Sequence, residues 1–128
     1  MTRQAISTTS APGALGPYSQ AIAAGDLVFC SGQIGIDPES GQLVDGVEAQ
    51  TERAIRNLSG VLDAAGVTLA DVAKATIFLA DIGDFAAVNE IYARHMPDPP
   101  PARSTFQVAA LPRGARVEIE MIARRADR

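Results

Sequence analysis

The sequence is poor in the side chains that hold metals or form disulfides. Its 128 residues include one cysteine, Cys30, one histidine, His95, and no tryptophan. A structural zinc site needs about four Cys or His ligands and an internal disulfide needs two cysteines, so both are excluded. Cys30 lies among apolar residues, and we expect a buried structural thiol rather than a nucleophile paired with His95. A single thiol fits a reducing compartment, and we expect a cytoplasmic protein.

Long apolar runs and glycine-rich phosphate motifs are also missing. No stretch approaches the roughly 18 consecutive apolar residues of a membrane helix, and residues 1–6 lack the apolar run of a secretory signal. Neither GxGxxG nor a GxxxxGKS or GxxxxGKT motif occurs, so nucleotide cofactors have no support. Eleven basic against fifteen acidic side chains give a net charge of −4, which disfavours nucleic acid as a partner. We therefore expect no membrane association, no cofactor and no metal.

What the chain does have is enough apolar residues for a hydrophobic core. They make up 47% of the sequence. A domain usually has about 100–200 residues, so residues 1–128 are predicted to form a single domain. Apolar periodicity predicts six strands and two helices in the order β-β-β-α-β-α-β-β. The strands are predicted at residues 3–7, 18–24, 27–33, 72–79, 103–108 and 116–123, with residues 111–114 as the turn between the last two.

The two predicted helices have identifiable ends. The first starts near Asp45, which can cap the helix while Glu48 completes a capping box, and it stops at Gly66. The second starts at residue 81 or 84 and ends at residue 95, because four prolines follow between residues 97 and 101.

Two helices can cover only one face of a six-stranded sheet, so the other face meets solvent or another subunit. Side-chain alternation gives each of the last two strands a mainly apolar side and a more polar side. We expect the apolar sides to pack under the helices and the polar sides to face an interface or a wet pocket. This arrangement favours an oligomer. The polar sides hold Arg103, Thr105 and Gln107 in one strand and Arg116, Glu118, Glu120 and Ile122 in the other.

Three polar features are candidates for chemistry. Tyr18, within residues 16–21 (GPYSQA), delivers a hydroxyl at a strand start, and the alternative is a packed tyrosine. Arg103 can bind a carboxylate through two parallel hydrogen bonds, or form an ion pair with a glutamate on the next strand. Glu118 and Glu120 can provide a general base, or form a solvated or salt-bridged sheet face. The residues by themselves leave these alternatives open.

Taken together, four segments resemble the reactive intermediate deaminase (RidA/YjgF) family. They are residues 16–21 (GPYSQA), 31–34 (SGQI), 101–104 (PARS) and 117–120 (VEIE), and the likeness spans nearly the whole chain in order. The resemblance implies an α+β, chorismate-mutase-like fold with a six-stranded mixed sheet and two helices packed on one face. It also implies a homotrimer whose sheets face inward and whose three sites lie in the clefts between subunits.

The resemblance further implies a hydrolytic deaminase that converts reactive 2-imino and enamine acids to 2-oxo acids and ammonia without a metal or organic cofactor. Such substrates include 2-aminoacrylate/2-iminopropanoate and 2-aminocrotonate/2-iminobutanoate. By position, Arg103 matches the arginine that holds the substrate carboxylate, and Glu118 matches the acidic residue that positions the attacking water. Other positions that match the family's site are Tyr18, Ser31, Gly32 and Asn89.

Two departures from the family pattern concern the pocket. Thr105 stands where the family's deaminases often have Cys, so this substrate-binding position keeps a small polar side chain without a thiol. Residues 96–100 form a short, proline-rich loop that can reshape the pocket mouth. The alternative functions are an endoribonuclease, a label that some relatives carry, and a non-catalytic small-ligand-binding or chaperone-like trimer. The acidic charge disfavours the first and the presence of Arg103 disfavours the second.

Overall fold

A six-stranded sheet carries both helices on one face. The structure, a computed structural model, describes residues 2–125. The strands are β1 Arg3–Ile6, β2 Ala21–Ala24, β3 Leu27–Gln33, β4 Val72–Leu79, β5 Ala102–Gln107 and β6 Val117–Arg124, and the helices are α1 Val47–Ala64 and α2 Phe85–His95. Within the described residues, neither helix has the length and apolar character needed to cross a bilayer. The predicted number and order of strands and helices are confirmed.

The strands lie in the order β1-β2-β3-β6-β4-β5, with β4 and β5 parallel and every other pair antiparallel. The mixed sheet is therefore confirmed. Residues 111–114 connect the last two strands, as predicted, and Pro112–Gly114 form a short 3-10 helix there. The two strands are nevertheless not neighbours in the sheet, because β6 lies between β3 and β4 while β5 lies at the edge. This central place buries the side chains of Val117, Ile119 and Met121 almost completely. Burial of these side chains stabilises the position of β6 between β3 and β4.

Helix α1 packs its apolar stripe on the sheet. The side chains of Ala54, Leu58 and Val61 are fully buried, as their helical spacing predicts. The predicted capping box at Asp45 is wrong: the helix begins at Val47, and its N-cap is Gly46 with φ of 93° and no side-chain cap. The chain enters the helix through a left-handed glycine conformation, which side-chain-bearing residues adopt rarely.

The two faces of the sheet differ between β6 and β5. In β6 the alternation is as predicted, with the apolar residues under the helices and Glu118 on the open face. In β5 it is reversed: Arg103 lies on the helix side, against α2, whereas Phe106 lies on the open face. The ring of Phe106 makes an edge-on contact with Phe78 there, with 5.4 Å between centroids. The prediction that the apolar side of β5 packs under the helices is therefore wrong.

Candidate active site

The first part of the candidate site is a cavity of about 570 Å³ whose lining includes Tyr18, Gly32 and Glu118. We call it the Glu118 pocket. The side chains of Leu15 and Tyr18 stand at its edge and are largely exposed. Its walls are otherwise mainly apolar, with Asp37 and Arg113 as the other charged residues. The pocket is large enough for a small metabolite and brings three of the sequence-predicted residues together.

The Glu118 carboxylate lies directly over Gly32. The pairing of β3 with β6 shifts register between Cys30 and Gln33, so Gly32 belongs to an irregular stretch next to β6. A Cβ placed on Gly32 would come within 2.8 Å of the Glu118 Cδ atom. The absence of a side chain at residue 32 therefore gives the carboxylate its place in the pocket.

We expect Gly32→Ala to lower kcat about a hundredfold for any reaction that uses the Glu118 carboxylate, because the added methyl group displaces it. Gly13→Ala is the matched control, since a Cβ there meets nothing within 4 Å. Steady-state kinetics of both variants test the expectation. A Gly32→Ala enzyme with wild-type kcat would mean that the carboxylate position is unimportant.

The surroundings of Glu118 make it a stronger base than a surface glutamate. Burial raises the pKa of the Glu118 carboxyl, and the negative charge of Glu120, two residues along the same strand face, raises it further. A carboxylate with a raised pKa accepts a proton more readily than an ordinary carboxylate.

Ser31 and Gln20 hold the pocket wall together through hydrogen bonds. The Ser31 hydroxyl donates to the Ser19 carbonyl at 2.6 Å. The buried Gln20 side chain accepts from the Thr8 amide at 2.7 Å and donates to the Pro12 carbonyl at 2.8 Å. Ser31 is a predicted site position, and within this chain its hydroxyl links two backbone segments.

Two further buried amides support the pocket, and neither is among the site residues predicted from the sequence. Asn57 of α1 donates to the carbonyls of Ile34 and Ile36, at 3.3 and 2.9 Å. Gln50 accepts from the Arg116 amide at 2.8 Å. The signal was present in the sequence, because both polar residues interrupt the apolar face of α1. Buried amides at such positions need partners, and here those partners are loops that wall or flank the pocket.

The second part of the candidate site surrounds Arg103. Its Nη1 donates to Asn89 Oδ1 at 2.8 Å. Its Cζ lies 5.1 Å from the centroid of the Tyr92 ring and 5.6 Å from that of Phe85. We call these four residues the Arg103 cluster. Thr105 lies two residues along the same side of β5, and its buried Oγ1 has no hydrogen-bond partner within residues 2–125.

Arg103 is held by neutral groups. Among the residues that the structure describes, no Asp or Glu oxygen lies within 4.0 Å of its guanidinium. The ion pair with a glutamate on the next strand, one of the two alternatives for this residue, is therefore not formed within the chain. Most of the five N–H donors of the guanidinium are therefore available to bind an anion.

The two parts of the site lie on opposite faces of the sheet. Strand β4 separates them: Arg103 pairs with Ala75 of β4, and Glu118 pairs with Phe78. The backbone separation is therefore about 10 Å along β4 and about 10 Å across two strand spacings, with the sheet between the side chains. One chain groups Tyr18, Gly32 and Glu118 in the pocket and Asn89 and Arg103 in the cluster, and it does not bring the two groups together.

The remaining candidate nucleophile and base are placed elsewhere. Burial raises the pKa of the Cys30 thiol to about 12, so the thiol stays protonated at neutral pH. His95 Nε2 lies 2.7 Å from Glu52 Oε1, where α2 meets α1. Within residues 2–125, no three His, Cys, Asp or Glu side chains are grouped as metal ligands.

Comparisons with known proteins decide the family. The sequence model of the family described as Endoribonuclease L-PSP matches residues 8–125. The chain belongs to this family, known also as RidA/YjgF. The RidA/YjgF resemblance noted in the four segments is thereby confirmed, and it extends over almost the whole described chain.

Two RidA/YjgF relatives carry names that describe an activity. The chain is 55% identical over 122 residues to Reactive Intermediate Deaminase A, chloroplastic, of Arabidopsis thaliana, covering 94% of this chain and 65% of that protein. It is 51% identical over 124 residues to the 2-iminobutanoate/2-iminopropanoate deaminase of Homo sapiens, covering 96% of this chain and 90% of that protein. The chain thus spans just under two thirds of the plant relative and nearly all of the human one.

The fold is also that of the RidA/YjgF family. The structure of E. coli TdcF with bound serine matches with a TM-score of 0.92 and 40% sequence identity, covering 96% of this chain and 99% of that one. The sheet and its two helices therefore have the arrangement that the family resemblance predicts.

Proposed function

We propose that the protein hydrolyses reactive 2-imino and enamine acids, such as 2-iminopropanoate and 2-iminobutanoate, to 2-oxo acids and ammonia. The observation that carries the proposal is the Arg103 cation, which is held by an amide and two aromatic rings and has no carboxylate partner among the described residues. The names of the plant and human relatives support the reaction. The serine bound to E. coli TdcF supports a ligand that carries a carboxylate close to a nitrogen.

Arg103 is proposed to bind the substrate carboxylate. A guanidinium presents parallel N–H donors that match the two oxygens of a carboxylate. Fixing the carboxylate orients the C=N carbon towards the attacking water, and such orientation can contribute up to roughly 7–11 kcal/mol to lowering a barrier. Asn89 holds Arg103, and Thr105, on the same side of β5, is proposed to contact the substrate through its hydroxyl.

Glu118 is proposed to position the water and accept its proton. The water oxygen bonds to the C=N carbon of the protonated imine while the carboxylate takes a water proton. The carboxylic acid then returns this proton to the nitrogen of the tetrahedral intermediate. The C–N bond breaks to release ammonia, and the hydroxyl proton passes to the carboxylate as the C=O bond forms. The raised pKa of Glu118 suits both the acceptance and the return of this proton. Tyr18, Ser31 and Gly32 are proposed to shape this half of the site.

Because Arg103 and Glu118 lie on opposite faces of one sheet, we propose that each site takes them from two copies of the chain. Three copies related by a threefold rotation give three such sites, and every Arg103 is then matched with a Glu118 from a neighbouring copy. The open sheet face supports a homotrimer with inward-facing sheets, since Phe29 and Phe106 are 42% and 45% exposed there. We also propose that residues 1–128 act as one domain and that the protein is cytoplasmic.

A coupled assay tests the proposal. A threonine dehydratase generates the four-carbon enamine, and the release of 2-oxobutanoate is followed with and without catalytic amounts of the protein. We expect wild type and Arg56→Ala, a matched change on the exposed surface of α1, to accelerate the release equally. A trimer that binds 2-oxobutanoate without acceleration would favour the ligand-binding alternative. A trimer that instead cleaves RNA would favour the endoribonuclease alternative.

A further inference from the structure

Three residues of α2 present one surface to Arg103. Phe85, Asn89 and Tyr92 are spaced four and three residues apart, which places them on one side of a helix. All three contact the same guanidinium. Only Asn89 was recognisable from the sequence as a site position.

We infer that Phe85 and Tyr92 are positioning residues, whose ring faces fix the plane of the Arg103 guanidinium so that it meets the substrate carboxylate edge-on. This inference rests on the carboxylate-binding role proposed for Arg103. The rings lie 5.6 and 5.1 Å from Cζ, within the range in which a ring face attracts a cation.

The chemistry of the contacts favours a positioning role over simple packing. A ring face attracts the cation as a whole and accepts none of the in-plane N–H groups, whereas a carboxylate partner would occupy two of them. Asn89 Oδ1 accepts one N–H from Nη1. The remaining in-plane donors stay available, and their direction is set by the rings and the amide together.

Tyr92 contributes the more buried of the two rings. Its side chain is 4% exposed, whereas Phe85 is 40% exposed. Burial raises the pKa of the Tyr92 phenol, although the Arg103 charge lowers it in part, so the phenol is neutral at physiological pH. The buried hydroxyl has no hydrogen-bond partner within the described residues, so the ring face, rather than the hydroxyl, makes the contact with Arg103.

The test compares ring-removing and ring-keeping substitutions in the coupled assay. We expect Tyr92→Leu to raise KM for the imino acid, and Kd for 2-oxobutanoate, about tenfold, with kcat changed less than about twofold. Tyr92→Phe keeps the ring and is expected to retain the wild-type KM. Phe85→Leu, at a more exposed position, is expected to raise KM in the same direction. Arg94→Ala, an exposed change on the same helix, is the control.

The outcomes separate this inference from the proposed function. The positioning role would be overturned if Tyr92→Leu and Phe85→Leu both kept the wild-type KM. If Arg103→Ala were inactive in the same assay, the proposed function would still stand. Fully active Arg103→Ala would overturn the proposed function. If Tyr92→Phe raised KM as much as Tyr92→Leu, the hydroxyl would be responsible for the change in KM. That result would also overturn the role of the ring. If Tyr92→Leu does not fold, Phe85→Leu and Tyr92→Phe decide the matter.

Discussion

Arg103→Ala is expected to lower kcat/KM for 2-iminobutanoate about a thousandfold. Two charge-assisted hydrogen bonds to a carboxylate contribute about 4 kcal/mol together, which corresponds to this factor. The coupled dehydratase assay measures the change. Arg103→Lys keeps the charge but loses the planar pair of donors, so we expect an intermediate rate.

The same variant separates binding from assembly. Within residues 2–125, the hydrogen bond and the ring contacts of the guanidinium are all made with α2, on the helix side of the sheet, so we expect Arg103→Ala to keep the oligomeric mass of the wild type in light scattering. An inactive variant that has also lost its assembly would mean that Arg103 is mainly structural. A variant with unchanged kcat/KM would remove Arg103 from the site.

Glu118→Gln is expected to lower kcat about a hundred- to a thousandfold while KM and the affinity for 2-oxobutanoate change little. The amide keeps the size of the side chain but cannot accept the water proton. Steady-state kinetics measure kcat and KM, and calorimetric titration with 2-oxobutanoate measures the affinity. Unchanged turnover would remove the role assigned to Glu118.

The pH dependence gives an independent check on Glu118. Because its pKa is raised, kcat of the wild type should fall on acidification at a higher pH than an ordinary glutamate would give. Glu120→Gln removes the neighbouring negative charge, so its acid limb should move to lower pH. The pKa of Glu118 is higher in the folded state than in the unfolded state. At a pH above the unfolded-state pKa, ionisation of Glu118 therefore lowers the free energy of unfolding. Glu118→Gln should therefore unfold at a temperature no lower than wild type at pH 7.

The sequence predicts the local elements well and their neighbours poorly. The β-branched run at residues 72–79 has the bounds of β4, because a buried central strand is apolar on nearly every residue. No local pattern indicated that β6 would lie beside β4 and leave β5 at the edge. Strand pairing depends on which apolar sides can be buried together across the whole sheet, and this is a property of distant segments.

The candidate site shows a similar division. The matched segments identified Arg103 and Glu118 as site residues, and alternation placed Glu118 correctly on the open face. Alternation failed for β5 because the strand is at the edge, where the aromatic rings of α2 accept a cation and Phe106 finds a partner in Phe78. The separation of Arg103 from Glu118 follows from this reversal.

The placement of Arg103 and Glu118 on opposite faces has a genetic consequence. If every site takes one residue from each of two neighbours, two inactive chains can complement each other. In trimers formed at random from equal amounts of Arg103→Ala and Glu118→Gln chains, about one site in four receives an intact arginine from one neighbour and an intact glutamate from the other. A cell carrying both defective alleles would then retain deaminase activity that neither allele provides by itself.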